Sequence, residues 1–274
     1  MENITKQLLL FKQMIEYAII TNGTKGKNDL IRSSEPINLI HDAVKHKFLI
    51  EGIHPDNIHP KLNFKNPELK IAGFLKQKDQ DICITPSNIL PQPTGITWGP
   101  LAFEQKTDPY GFEYTTNTII INVRSQLSSL AKNSDTLFER TFAEAMNLHM
   151  KYPDVVLGEV YLIPVHEYDD SLANNKKIGF KAKSTNLEKY ISFFNSINNR
   201  QLGGPDYSYE RVALLIVDFN RSKPHIFKNS AELKSAGYIS ENFPIEYASL
   251  NFHNFAKDLL SIYNTRYNIN NLIK

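Results

Sequence analysis

The sequence predicts an α/β fold, a mixed central sheet flanked by helices. Three observations carry that expectation. Thr118 to Val123 and Val212 to Phe219 are almost wholly apolar and rich in β-branched residues, as buried strands are. Other stretches space their apolar residues by three and four, the period of a helix with one buried face. Their order along the chain is helix, strand, strand, long loop, strand, helix, strand, helix, strand. That order suits a sheet covered by helices.

The first segment, Glu2 to Ile20, sets Leu8, Phe11, Ile15 and Ala18 on one helical face. Thr21-Asn22-Gly23 is expected to stop it, with a polar loop from Thr24 to Glu35. Pro36 then opens a helix from Ile37 to Ile50, which Gly52 closes. Leu69 to Leu75 reads as a strand, Lys76-Gln77-Lys78-Asp79 as a turn, and Asp81 to Thr85 as a second strand. Pro86 to Pro109, with its prolines and glycines, is expected to be an irregular surface excursion, and such loops are often functional. After the strand at 118–123, Asp135 is placed to cap a helix from Leu137 to Met150. Val155 to Val165 is the next strand, and Asn186 to Asn199 is a helix with Leu187, Tyr190, Ile191 and Phe194 together. Pro224 to Phe227 reads as a short companion to the strand at 212–219, and Phe252 to Tyr267 as a last helix. With no repeat and no low-complexity segment, the chain reads as one domain over 1–274.

Composition narrows the function classes. The chain has 274 residues, enough to bury a core that needs no staples. The lone cysteine, Cys83, excludes an intramolecular disulfide and fits a reducing, cytoplasmic setting. No apolar run reaches the ~20 residues that span a bilayer, so no membrane partner is expected. A net charge of +2 is too small for a protein that coats nucleic acid, but a local basic cleft needs no basic whole. The eight histidines show no zinc spacing. Phosphate-binding loops of the GxxxxGK[ST] kind, GxGxxG after a strand and GxSxG elbows are all absent from the sequence.

Two places hold residues that can do chemistry. Asn122, Arg124 and Gln126 leave a buried strand toward a helix carrying Glu139, Arg140, Thr141 and Glu144. A strand end holds such groups rigidly while leaving them open to solvent. Earlier, Asp79 and Asp81 flank the start of a strand, and a carboxylate there suits Mg2+, which takes one or two acids plus water and phosphate oxygens. Each place also has a plainer reading, as a solvated turn rich in Ser and Asn or as an acidic hairpin.

Those residues resemble the PD-(D/E)XK nucleases, the superfamily of most type II restriction endonucleases. That core sets an acid on one strand, an acid-x-Lys pair on the next, then a helix and another strand. Asp81 matches the first acid, and Asn122-Val123-Arg124 stands where acid-x-Lys belongs. Arg124-Ser125-Gln126, Asn133, Arg140-Thr141 and Glu144 are also similar to the PaeR7I/XhoI group. The resemblance covers roughly Leu69 to Val165. It implies a restriction-endonuclease-like fold, double-stranded DNA as partner, Mg2+ as cofactor held by Asp81 and Glu144, and a homodimer. Two departures stand out. Asn122 lacks the charge of the acid, and Arg124 keeps a cation but cannot act as a general base. Some members of the superfamily take a carboxylate from the following helix, which points to Glu144, with Glu139 second. Gln126 is a candidate for the role of the lysine. The alternative the departures leave open is a nuclease fold that binds DNA without cutting it. Glu159 and Asp218 are weaker candidates, as strand acids more often serve structure. Lys176, Lys177, Lys181 and Lys183, in the polar loop from Asp169 to Thr185, suit phosphate contacts.

Overall fold

The computed structural model describes residues 2–33 and 35–273. Helix α1 (Glu2–Arg32) is followed by α2 (Glu35–Ile50), β1 (Ile58–His59), β2 (Leu69–Ala72), β3 (Gln77–Gln80) and β4 (Ile82–Ile84). Next come β5 (Thr94–Gly95), β6 (Thr107–Asp108), α3 (Phe112–Thr116), β7 (Ile119–Ser125), α4 (Leu130–His149) and β8 (Val156–Pro164). The chain ends with α5 (Asp170–Asn174), α6 (Leu187–Ser196), β9 (Arg211–Asp218), β10 (His225–Ile226), α7 (Ser230–Ser235), α8 (Phe255–Arg266) and α9 (Asn270–Ile273).

Six strands form one mixed sheet in the order β1-β4-β7-β8-β9-β10. Strands β7, β8 and β9 are parallel, while β1, β4 and β10 join antiparallel at the two sides. Strands β8 and β9 are buried along their whole length, which explains why they read as unbroken apolar runs. Side chains alternate between two cores. On one face Ile121, Val156, Val160 and Leu215 pack against Leu8, Phe11, Ile15, Val44 and Phe48 of α1 and α2 and Leu259 of α8. On the other, Ile120, Leu157, Tyr161 and Leu214 meet Ala145 and Leu148 of α4 and Tyr190, Ile191 and Phe194 of α6. The result is a three-layer arrangement, helices on both faces of a mixed sheet.

Helix α5 stands in what reads as the polar loop from Asp169 to Thr185, and four further local features differ from the sequence expectation. Gly23 does interrupt α1, with φ 62° and ψ −146°, but the helix resumes instead of becoming a loop, and Ser34 of the expected loop lies outside the described residues. Gly26 allows the sharp fold: a Cβ there would sit 2.5 Å from the Ala18 carbonyl oxygen. Buried Lys27 pairs with Asp170 to hold the second limb. The expected turn at 76–79 is mostly strand, because Gln77–Gln80 pairs with Leu69–Ala72 as a separate hairpin. Its tip is fixed by Asn147, whose Oδ1 accepts the Leu75 and Lys76 amides at 2.7 and 3.0 Å. Helix α4 begins seven residues early, at Leu130 where Leu137 was expected. Asp135 lies inside it, and Glu167, from beyond β8, accepts the Ser129 and Leu130 amides instead. The 86–109 excursion contains the small hairpin β5–β6, pinned by Trp98, whose Nε1 donates to the Gly73 carbonyl. Among the described residues no helix is long and apolar enough to cross a membrane.

Gly158 shows how closely α8 lies on the sheet. A Cβ there would meet Leu259 and Phe255 at 2.8 Å and Ile121 at 3.3 Å. Gly158→Ala is expected to destabilise the fold by roughly 1–3 kcal/mol, because a packed core must move to admit the methyl. A lower urea midpoint with an unchanged m-value would show it.

Candidate functional site

The C-terminal end of β7 opens into a cleft of about 450 Å³, lined by Arg32, Lys78, Asp81, Arg124, Gln126 and Arg140 among others. Four cations and one carboxylate face it. The strands set this up. Arg124 sits near the end of β7, on the face covered by α4, two residues beyond Asn122. Asp81 lies in the break between β3 and β4, where its Oδ2 accepts the Val123 amide at 2.8 Å. Asp79 parts from it, being exposed and within 4.0 Å of Lys70 on the hairpin.

Glu144 reaches down from α4 into the floor of the site and is 4% exposed. Lys78 meets its Oε2 at 2.6 Å, Arg124 binds the same oxygen, and Arg140 reaches Oε1 at 3.2 Å. Burial alone would raise this carboxyl, but the charges of Arg124, Lys78 and Arg140 outweigh it and hold the group below its ordinary range. Arg124 also donates to Thr141 Oγ1 at 3.3 Å and lies 3.6 Å from Glu159 Oε1. Burial works against the Arg124 charge, yet Glu159 and Glu144 keep it firmly protonated.

Glu159 is the unusual member. It is fully buried, and neither of its oxygens has a hydrogen-bond partner. Burial pushes its carboxyl up to about 7, against the pull of Arg124 and with the help of Glu144 and Asp81. Asn122, directly across the ladder from Glu159, is 2% exposed, and its Oδ1 is likewise without a partner. Such atoms are rare in folded proteins and mark a place where something else can bind.

The structure thus brings Arg124 and Glu144 together and sets Asp81 at the mouth of the same cleft. Gln126 lines the cleft too, though its amide donates to the Ser128 carbonyl at 2.6 Å. Glu139 is exposed, away from the cleft. Asp218 ends β9, pairs with Arg221 and does not line the cleft. Both oxygens of Glu144 are already engaged by cations, and among the described residues no three His, Cys, Asp or Glu side chains group as a metal centre. Sequence reasoning passed over Lys78 as part of a turn and named Arg140 within a helix motif without giving it a role. Lys78 could be found only through the hairpin pairing. Arg140 stands four residues before Glu144, the spacing that joins side chains on a helix.

No family model, curated protein or solved structure matches this chain. Its chemistry must be read from its own residues.

A second cleft, about 400 Å³, is lined by Lys181, Lys183 and Lys189 near the start of α4. Lys181 there pairs with Glu167 at 2.8 Å. Cys83 is buried and its thiol is pushed up by burial, so it is no nucleophile. A different buried network surrounds Glu210 at the N-terminal end of β9, where Arg200 and Arg266 each approach at 3.0 Å and the Leu157 amide donates at 2.8 Å. That carboxylate is fully partnered and is structural.

Stability should report the state of Glu159. Between its ordinary value of 4.5 and about 7, the unfolded chain ionises this group while the folded chain does not. Its contribution is therefore intact at low pH and lost as pH rises through 7. Glu159→Gln is expected to gain on the wild type across that window, by up to about 3 kcal/mol, and to hold a constant lead above it. Urea denaturation at pH 4.5, 6 and 8 measures the difference; a lead that shrinks with pH would mean that Glu159 is ionised in the folded protein.

Proposed function

We propose that the cleft receives a backbone phosphate of double-stranded DNA and that the chain is a Mg2+-dependent endonuclease of the type II restriction kind. The observation that carries the reading is the gathering of Lys78 and Arg124 on one cleft, over the Glu144 carboxylate beneath it, with Asp81 at its mouth. The strand order supports it. An antiparallel pair, β4 and β7, followed by helix α4 and the parallel strand β8, is the order that the PD-(D/E)XK resemblance implies.

The donor chemistry fits a hard divalent cation in part. Asp81 has one oxygen beyond its bond to Val123, and Asn122 Oδ1 is an unpartnered oxygen on the adjoining strand. Mg2+ needs little more than one or two carboxylates, with water and phosphate supplying the rest. When bound it would supply a water of lowered pKa and charge neutralisation at the scissile phosphorus. The chain's own residues do the remaining work. Arg124 is always charged and fixed by Glu144, so it can brace a phosphoryl oxygen as negative charge builds. Lys78, tethered to the same carboxylate, adds a second cation beside it. Glu144 keeps both cations aimed at one point and excludes water from beneath them. The lysines of the second cleft would hold flanking phosphates, contacts that position a duplex without reading its sequence. A palindromic site would be met by a two-fold homodimer, and a DNA-directed chain with one buried cysteine belongs in the cytoplasm.

One observation favours the second reading, a nuclease fold that binds without cutting. Glu144 is saturated with cations, and Asn122 carries no charge. Digestion of unmethylated phage-length DNA separates the two. Discrete fragments with Mg2+ and none with EDTA are expected, with Arg124→Ala cutting about 10²- to 10³-fold more slowly, as when a single donor to a developing oxyanion is lost. A gel shift without cleavage would establish the binder, and neither binding nor cleavage would end the DNA reading.

A further inference from the structure

The sheet places three oxygen-bearing side chains in one row. Ile82 pairs with Ile121 in the antiparallel β4–β7 ladder, and continuing that register by one residue sets Asp81 opposite Asn122. The bond from the Val123 amide to Asp81 Oδ2 fits that placement. On the far side, the parallel β7–β8 ladder pairs Asn122 with Glu159. Asn122 and Glu159, paired across the ladder, point to the same face, the one covered by α4, while Asp81 stands at the head of β4 with one carboxylate oxygen on the Val123 amide. The row therefore reads acid, amide, acid across three adjacent strands, with neighbouring strands about 4.8 Å apart. It runs from the half-exposed Asp81 at the mouth of the cleft to Asn122 and Glu159 within.

The two inner members are the ones left without partners. Asn122 Oδ1 and both Glu159 oxygens accept no hydrogen bond, although these residues are 2% and 0% exposed. Asn122 lies beside the Tyr209 hydroxyl, which donates to the Thr141 carbonyl at 2.9 Å. Glu144, the other acid near this row, has no oxygen to spare. Three orphaned acceptor oxygens on neighbouring residues, with a carboxylate at the open end, form a set of hard donors suited to a divalent cation.

We infer that Glu159 is the second metal-ligating carboxylate of this site, moved one strand sideways from the position that Asn122 occupies, and that Asp81 and Glu159 hold a divalent cation with the Asn122 carbonyl oxygen between them. The inference rests on the metal-dependent nuclease reading but is tested without DNA. Arg124 Nε stands 3.6 Å from Glu159, near enough to attract the carboxylate but beyond hydrogen-bond distance. On this assignment Asn122 and Glu159 have exchanged roles. The acid and the amide should then be interchangeable across the ladder.

The test is Mn2+ binding by isothermal titration to the full chain, with wild type, Glu159→Gln, Glu139→Gln and the reciprocal double variant Asn122→Asp/Glu159→Asn. Thermal melts check that each one folds. Glu159→Gln is expected to weaken Mn2+ binding at least tenfold, and the double variant to recover affinity to within about threefold of wild type. Glu139→Gln, at an exposed acid away from the cleft, is expected to leave affinity within threefold. Equal Mn2+ affinity in wild type and Glu159→Gln would overturn the assignment, as would a wild type that binds no Mn2+. A double variant no better than Glu159→Gln would overturn the exchange of roles. The nuclease reading is judged separately by Mg2+-dependent cleavage: wild-type cleavage that Glu159→Gln retains would sink this inference and leave the nuclease standing.

Discussion

A carboxylate as buried as Glu144 stays charged only because cations surround it. Lys78, Arg124 and Arg140 come from a hairpin, a central strand and the helix itself, so this one group ties three elements together. The arrangement constrains all of them. Removing the carboxylate would leave like charges facing one another in a place poor in water, where an unpaired ion is costly. It also makes the cleft electropositive, because the acid that balances these cations lies beneath its lining and not on it. The chain as a whole is near neutral, so this local imbalance says more about its partner than the net charge does.

The other end of the sheet shows what a finished structural network looks like. Glu210 is as buried as Glu159, yet it receives a backbone amide and two arginines, and its carboxyl is held low by His149 and Arg266 despite burial. Glu159 has one distant cation and no hydrogen bond, and its carboxyl is held high. The same side chain on the same sheet is satisfied in one case and unsatisfied in the other. Folding alone accounts for the first. The second is the kind of departure from polar satisfaction that gathers where a protein binds or reacts.

Much of the sheet was readable in the sequence because burial on both faces writes itself as unbroken Ile, Val and Leu. Strands β7, β8 and β9 fall within a residue or two of expectation. The errors came where the deciding residue is far away. The start of α4 depends on Glu167, and the tip of the β2–β3 hairpin depends on Asn147. The second limb of α1 is polar, and what holds it is a buried lysine paired with α5. The site follows the same pattern. Asp81, Arg124 and Glu144 stood out through local motif and spacing. Lys78 did not, and Glu159 did so only as a weaker candidate, since only the pairing of strands shows that one faces Glu144 and the other faces Asn122. Register is a property of the folded sheet, and a single sequence does not carry it.

The central claim is that the cleft at the end of β7 grips a DNA phosphate through cations that Glu144 assembles. Arg140 tests it most directly, since it lines the cleft, is largely exposed and is the least buried of the three. The measurement is fluorescence anisotropy of a labelled duplex over a range of KCl concentrations without divalent metal, comparing wild type with Arg140→Ala and with Lys223→Ala, a lysine outside the cleft. Losing one phosphate contact should reduce the slope of log affinity against log salt by about one. A shallower slope for Arg140→Ala, with Lys223→Ala unchanged, is the predicted result. Parallel slopes for all three proteins would mean that DNA, if bound, lies elsewhere, and would contradict the account.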